Sequence, residues 1–223
     1  MTNSNDKIRK IIAMALFTAV AYIFGILPSI KVNFLSLDIK DAFIAIGALY
    51  LGPTTGVVVS AVVSVMETIF GSTTGFYGLI MNFLGSAAFA AVASLIYTNK
   101  KSLANAIISL AFATISMTLI MLVANLIFTP YYMGVEIQMV KDLLIPLFLP
   151  FNLVKGILNS ALVMMFYKPI SVALKKARLS TGTTTSVGMN KNTVIIFVIS
   201  LVIVVLSFVF IFFKLDGVLA IPS

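Results

Sequence analysis

The sequence predicts an all-α integral membrane protein: a six-helix core followed by an appended seventh transmembrane helix. Three observations carry this. Of 223 residues, 61% are apolar and 10% are charged, against about 45–50% and about 25% in ordinary soluble domains. The apolar residues gather into seven runs separated by turn-rich or charged breaks; at about 20 residues per crossing, seven spans use roughly 140 residues and leave no room for a soluble domain. The basic residues concentrate in alternate breaks, as they do when one side of a membrane retains positive charge.

The elements follow in order. A short basic start carries Lys7, Arg9 and Lys10. Span 1 covers 11–27 and reads as a retained helix, since no small-residue cleavage site precedes Pro28. Residues 28–38 form a loop in which Val32-Asn33-Phe34-Leu35-Ser36-Leu37-Asp38 roughly alternate apolar and polar, a pattern suited to a short strand or a lid over a pocket. Asp38 and Asp41 stand where span 2 (39–51) begins; carboxylates favour a helix N-terminus, which suffices to explain them. Gly52-Pro53 breaks that span and span 3 runs to residue 70. A Gly/Ser/Thr turn at 71–75 leads to span 4 (78–97), which ends at Asn99-Lys100-Lys101. Span 5 covers 103–128, and a polar loop with Pro130, Tyr131, Tyr132 and Gly134 continues to Asp142. Span 6 (143–167) is interrupted by Pro146 and Pro150. The composition then turns basic and Ser/Thr/Gly-rich, as in flexible linkers, before span 7 at 193–213 and a short tail. Three regions result: a six-helix domain (1–170), a linker (171–192) and an additional helix with its tail (193–223).

With the N-terminus in the cytoplasm, the inner segments hold ten of the fifteen basic residues and a single acid, Asp6. Most of the net charge of +8 is therefore topology, with attraction to anionic lipid heads. Nucleic acid is not a partner, because the basic residues are split among separate segments. The chain has no Cys and no His, which removes thiolate chemistry, Ser-His hydrolases and HExxH metalloproteases. Phosphate-cradling glycine loops are also missing. Neither an enzyme nor a metal protein is expected.

Polar residues inside spans are costly. Lys155 is the sharpest case, lying in the apolar run of span 6 at a cost of about 2.5–3.5 kcal/mol if it sits at a helix centre. Asn152 lies three residues earlier on the same helix face, and Asn159 and Ser160 extend that polar side. The stripe reads as a ligand-facing pair, or alternatively as a snorkelling lysine or one paired with Glu67. Asn125, near the outer end of span 5, is followed by Tyr131, and Asn82 opens span 4. Amides and tyrosines supply donors, acceptors and flat faces, although each could equally stabilise helices. Ala15 and Ala19 in span 1 form a small-residue pair that admits close approach of another helix, in the same chain or another.

Several segments carry a resemblance in matching order. They are Phe34–Asp41, the Gly52-Pro53-Thr54-Thr55-Gly56 turn, Met81–Phe89, Asn125 with Pro130, Tyr132 and Gly134, and Pro150–Gly156. Together, over about residues 10–170, the chain is similar to the membrane-embedded substrate-binding (S) components of energy-coupling factor vitamin transporters, most like the riboflavin type. The resemblance implies a vitamin pocket formed by the first loop and the outer ends of helices 4 to 6. It places Asn125, Asn152 and Lys155 on the flavin, with Leu35, Leu37, Asn82 and Tyr131 among the candidate pocket residues. It implies a membrane coupling protein and two cytoplasmic ABC-type ATPases as partners, with Ala15 and Ala19 at the coupling interface. ATP then binds only to partner subunits, and no cofactor is expected beyond riboflavin as cargo. Span 3 has Val63-Ser64 where riboflavin-type members commonly carry Lys-Asn, with Glu67 one turn later. Related components take pantothenate, pyridoxine-like or pyrimidine compounds, and these stay open at the level of sequence. So does an ion-coupled secondary transporter using Glu67 and Lys155 as its coupling charges.

Overall fold

The computed structural model describes residues 4–27, 29–70, 75–177, 179 and 191–220. Its elements are α1 (Ser4–Ile26), a hairpin of β1 (Ser29–Val32) and β2 (Leu35–Leu37), α2 (Lys40–Leu51), α3 (Pro53–Phe70), α4 (Gly75–Asn99), α5 (Leu103–Met133), α6 (Ile137–Leu143), a π-helical turn (Leu144–Phe148), α7 (Leu149–Lys176), α8 (Lys191–Lys214) and β3 (Val218–Ala220). The six-helix core is α1 to α5 with α7, and α8 is the additional helix. Among the described residues, α1, α3, α4, α5, the continuous α6–α7 unit and α8 are long and apolar enough to cross a membrane.

The second expected span differs from the others. At 12 residues, α2 is about 18 Å long, short of the roughly 30 Å of bilayer hydrocarbon. It is buried along its whole length except at Tyr50, because a helix apolar on every side belongs inside a bundle. It packs against α1, α3, α4 and α7. Small residues allow this: a Cβ on Gly56 would stand 2.9 Å from the methyls of both Ala48 and Ala90. Around α2 the core is completed by Ala13, Phe17 and Ala21 of α1, Val59 and Val63 of α3, Phe89 of α4, Met117 of α5 and Leu158 of α7. On α1 this inward row leaves Ala15 and Ala19 exposed.

Proline does not end the helices where the sequence suggests. α5 continues through Pro130 to Met133, and Gly134 closes it at φ 64°, donating its N–H to the Pro130 carbonyl. The turn 130–133 is therefore helix rather than loop. Pro146 lies in the π turn and Pro150 in the first turn of α7. Each lacks an N–H, and the ladder slips by one residue, so the Leu149 N–H donates to the Leu144 carbonyl. α7 runs on to Lys176, into the segment read as linker.

The C-terminal tail is not a plain end. β3 pairs antiparallel with β1, giving the order β2-β1-β3. A two-stranded hairpin has an open edge, and any short chain of β-compatible residues that reaches it can pair. This pairing sets the ends of α1 and α8 on the same side of the bundle, opposite the start of α1.

Candidate functional site

A cavity of about 170 Å³ opens between the hairpin and the ends of three helices. The hairpin supplies Phe34, Leu35 and Ser36; α4 supplies Tyr77, Gly78, Met81 and Asn82. α5 contributes Met121, Asn125, Phe128, Thr129 and Tyr132, and α7 contributes Phe151, Asn152 and Lys155. The α5 set follows helical spacing from 121 through 125, 128 and 129 to 132, one continuous face. The rings of Tyr77 and Tyr132 lie 6.3 Å apart across the cavity.

Asn125 and Asn152 are held in the same local way. Asn125 donates from Nδ2 to the Met121 carbonyl at 2.7 Å, and Asn152 donates to the Phe148 carbonyl at 2.8 Å. Each bond spans four residues of its own helix and fixes the amide plane. Thr129 Oγ1 further donates to Asn125 Oδ1 at 2.9 Å. Both asparagines are buried yet line the cavity, so a ligand would meet oriented amides rather than mobile ones.

Behind them lies a charge network. Lys155 Nζ donates to Asp38 Oδ2 at 3.0 Å and stands 3.4 Å from Asp41 Oδ2. Lys40 Nζ donates to both oxygens of Glu67, at 2.7 and 2.5 Å, and lies 3.8 Å from Asp38 Oδ2. Asn82 Nδ2 donates to Glu67 Oε2 at 3.0 Å, and Ser86 Oγ donates to Asp41 Oδ1. Asp38 lies in the link between β2 and α2. Burial pushes its carboxyl up, but Lys155 and Lys40 outweigh that and hold it below the ordinary carboxylate value. The network holds three carboxylates and two ammonium groups, so Lys155 presents its N–H groups to the cavity without an excess of positive charge.

Some expectations need correction. Asp38 and Asp41 do support the start of α2, Asp38 through the Lys40 backbone and Asp41 from the first turn, but that does not suffice to explain them, since both also pair with Lys155. A further free N–H at this helix start, that of Ala42, donates to Oδ1 of Asn159 on α7 at 2.8 Å, while Asn159 Nδ2 donates to the Asp38 and Lys155 carbonyls. A helix N-terminus buried in apolar surroundings must find acceptors for its free N–H groups, and Asn159 is spent there rather than on a ligand. Ser160 lies 3.2 Å from Thr114 Oγ1 between α7 and α5. Lys155 pairs with Asp38 rather than with Glu67, which belongs to Lys40. Leu37 is 3% exposed and buried in the core, outside the cavity lining. Tyr131 is 74% exposed and likewise outside it; its neighbour Tyr132 lines the cavity because the helix continues past Pro130. The structure does bring Asn125, Asn152, Lys155, Leu35 and Asn82 to one cavity. Sequence reasoning missed Lys40, whose signal was a lysine between two aspartates at the head of an apolar run.

Comparison with known proteins agrees with this architecture. Residues 9–167 match the family model described as "ECF transporter, substrate-specific component". The chain is 27% identical over 179 residues to the riboflavin transporter RibU of Staphylococcus aureus (strain TCH60), covering 75% of this chain and 93% of that protein. It is 23% identical over 185 residues to the riboflavin transporter FmnP of Bacillus subtilis (strain 168), covering 77% and 97%. A solved structure described as the S component of a bacterial ECF transporter superposes with a TM-score of 0.65 at 27% identity, covering 76% of this chain and 99% of that one.

Proposed function

The chain belongs to the substrate-specific components of ECF transporters, and from that premise we propose that it captures riboflavin outside the cell for an ATP-driven importer. It is a multi-pass membrane transport component, not an enzyme. In this reading it sits in the cell membrane with its N-terminus in the cytoplasm, so that the hairpin and cavity face outward.

The observation that carries the substrate is the polarity of the cavity. Oriented amides of Asn125, Asn152 and Asn82 offer donors and acceptors, Lys155 adds N–H donors, and Phe, Tyr and Met side chains supply apolar faces. Riboflavin is flat, uncharged and rich in carbonyls along one edge. An anion such as pantothenate is disfavoured by the carboxylate excess around Lys155. The ion-coupled reading is weakened because Glu67 and Lys155 are already engaged by Lys40 and Asp38.

The test is titration of the purified protein with riboflavin, followed by flavin fluorescence. Stoichiometric quenching is expected, and Asn152→Ala should weaken binding by roughly 10–100-fold, as expected when a hydrogen bond in a closed site is lost. Tight binding of pantothenate with none of riboflavin would overturn the assignment.

The partners in this reading are a membrane coupling protein and two cytoplasmic ATPases, which alone bind ATP. The protein itself requires no cofactor. Ala15 and Ala19, exposed on α1, suit helix-to-helix docking on the coupling protein. Ala19→Trp is expected to leave riboflavin affinity unchanged while abolishing uptake in cells. Uptake at the wild-type rate would exclude this face from the interface.

A further inference from the structure

We infer that the C-terminal segment, α8 with β3, is a strap that holds the hairpin lid over the cavity and sets the rate at which ligand enters and leaves. The inference rests on the vitamin-binding reading above but concerns residues beyond it. The family match ends at residue 167, whereas α8 begins at Lys191.

A bound vitamin would be largely enclosed by its pocket, so one lining element must move for it to pass. α4, α5 and α7 are long helices, with α5 packed against both of the others. The hairpin is the slight element of the wall: four- and three-residue strands, with Phe34, Leu35 and Ser36 on the cavity. A two-stranded hairpin is marginal alone. Here it is not alone. β3 makes β1 the central strand, with Ile30 opposite Leu219 and Lys31 opposite Val218.

The junction between strap and lid is closely fitted. Beyond α8 the chain turns back through Asp216 at φ 51°, and the Gly217 N–H donates to the Ile211 carbonyl at 3.0 Å. A Cβ on Gly217 would lie 2.6 Å from Ile211 Cγ2 and 3.0 Å from Ile30 Cγ2. Ile211 is fully buried, and Ile30 nearly so. One residue thus lets the end of α8 seat directly on the lid's central strand. The other end of the coupling is α7, against which α8 packs and which carries Asn152 and Lys155. Lid and binding helix are tied together by a segment that touches both, and opening the lid means breaking the β1–β3 ladder or moving α8 with it.

The absence of cysteine in the chain makes a clean test. Lys31→Cys with Val218→Cys, both exposed and directly opposite, falls within disulfide reach of an antiparallel pair. In the full-length protein loaded with riboflavin, the oxidised form is expected to release ligand about tenfold more slowly than the same protein after reduction. Gly217→Val, which displaces the strand, is expected to release it about tenfold faster than wild type, the scale of one or two hydrogen bonds lost. Equal release from the oxidised and reduced forms would overturn the strap, even where Gly217→Val fails to fold. If the wild-type protein binds no riboflavin, the functional reading fails separately. The strap is then read by hydrogen exchange of the hairpin amides, which oxidation of the cysteine pair should slow and which would refute it if unchanged.

Discussion

Lys155→Met is expected to reduce riboflavin affinity by about 10–100-fold and to lower thermal stability at the same time, because Lys155 serves the ligand and the fold with one ammonium group. It lines the cavity and is the cation nearest to both Asp38 and Asp41 at the head of α2. Methionine keeps the stem's volume and removes the charge, so packing is little disturbed. Two losses follow. The ligand loses a charged donor, worth about 1.5–3 kcal/mol; buried Asp41 loses its ion-pair partner and Asp38 is left with Lys40 alone at 3.8 Å, a change of up to about 3–5 kcal/mol in comparable buried pairs. The two can be separated. Adding Asp38→Asn to Lys155→Met removes one stranded charge and should recover much of the unfolding midpoint, yet binding should stay weak. Ligand titration and thermal denaturation of the three proteins would decide it. Recovery of affinity along with stability would mean that Lys155 only props up the hairpin and does not touch the vitamin.

How much of this was legible in the sequence varies with the range of the interaction that decides it. Six of the seven expected spans were, because a long apolar run has one compatible environment; the 12-residue α2 was not, since a short run buried inside the bundle is equally apolar. Asn125 and Asn152 stood out because an amide in such a run needs a reason, and both end at the cavity. The Tyr131 expectation failed through a local misreading. Treating Pro130 as a helix end left both tyrosines free, whereas extending the helix by one turn places Tyr132, seven residues from Asn125, on the cavity face and turns Tyr131 away. Leu35 and Leu37 share a strand, but β2 is only three residues long, and its end dives beneath the lid into the core. No period read over so short a stretch separates them. Asn159 looked like part of a ligand stripe because its neighbours on α7 are; its true partner is a backbone N–H 117 residues away. β3 was invisible for the same reason, since three residues acquire a strand only where an edge awaits them.

The largest effect on folding is expected from Lys40→Met. Lys40 is 2% exposed, and its Nζ bonds both oxygens of Glu67. It is the first residue of α2 and reaches the last turn of α3, close to Gly25 of α1, so one ion pair joins three helices where the hairpin is rooted. Without it, Glu67 loses its counter-ion and stands near Asp38, which keeps only Lys155. Their repulsion is strong at low dielectric, and the loss is about 3–5 kcal/mol, a large share of the margin of a typical domain. The single variant should therefore accumulate poorly and unfold at a lower temperature. Combining it with Glu67→Gln replaces the ion pair by neutral groups of similar size, which buried pairs often tolerate. Neither Lys40 nor Glu67 lines the cavity, so the double variant should regain folded yield and bind riboflavin within a few-fold of wild type. Size-exclusion profiles and flavin titration of both proteins test this. A double variant that folds but has lost binding would show that the pair acts on the ligand through Asn82, whose amide Glu67 holds at 3.0 Å, rather than as a structural tie alone.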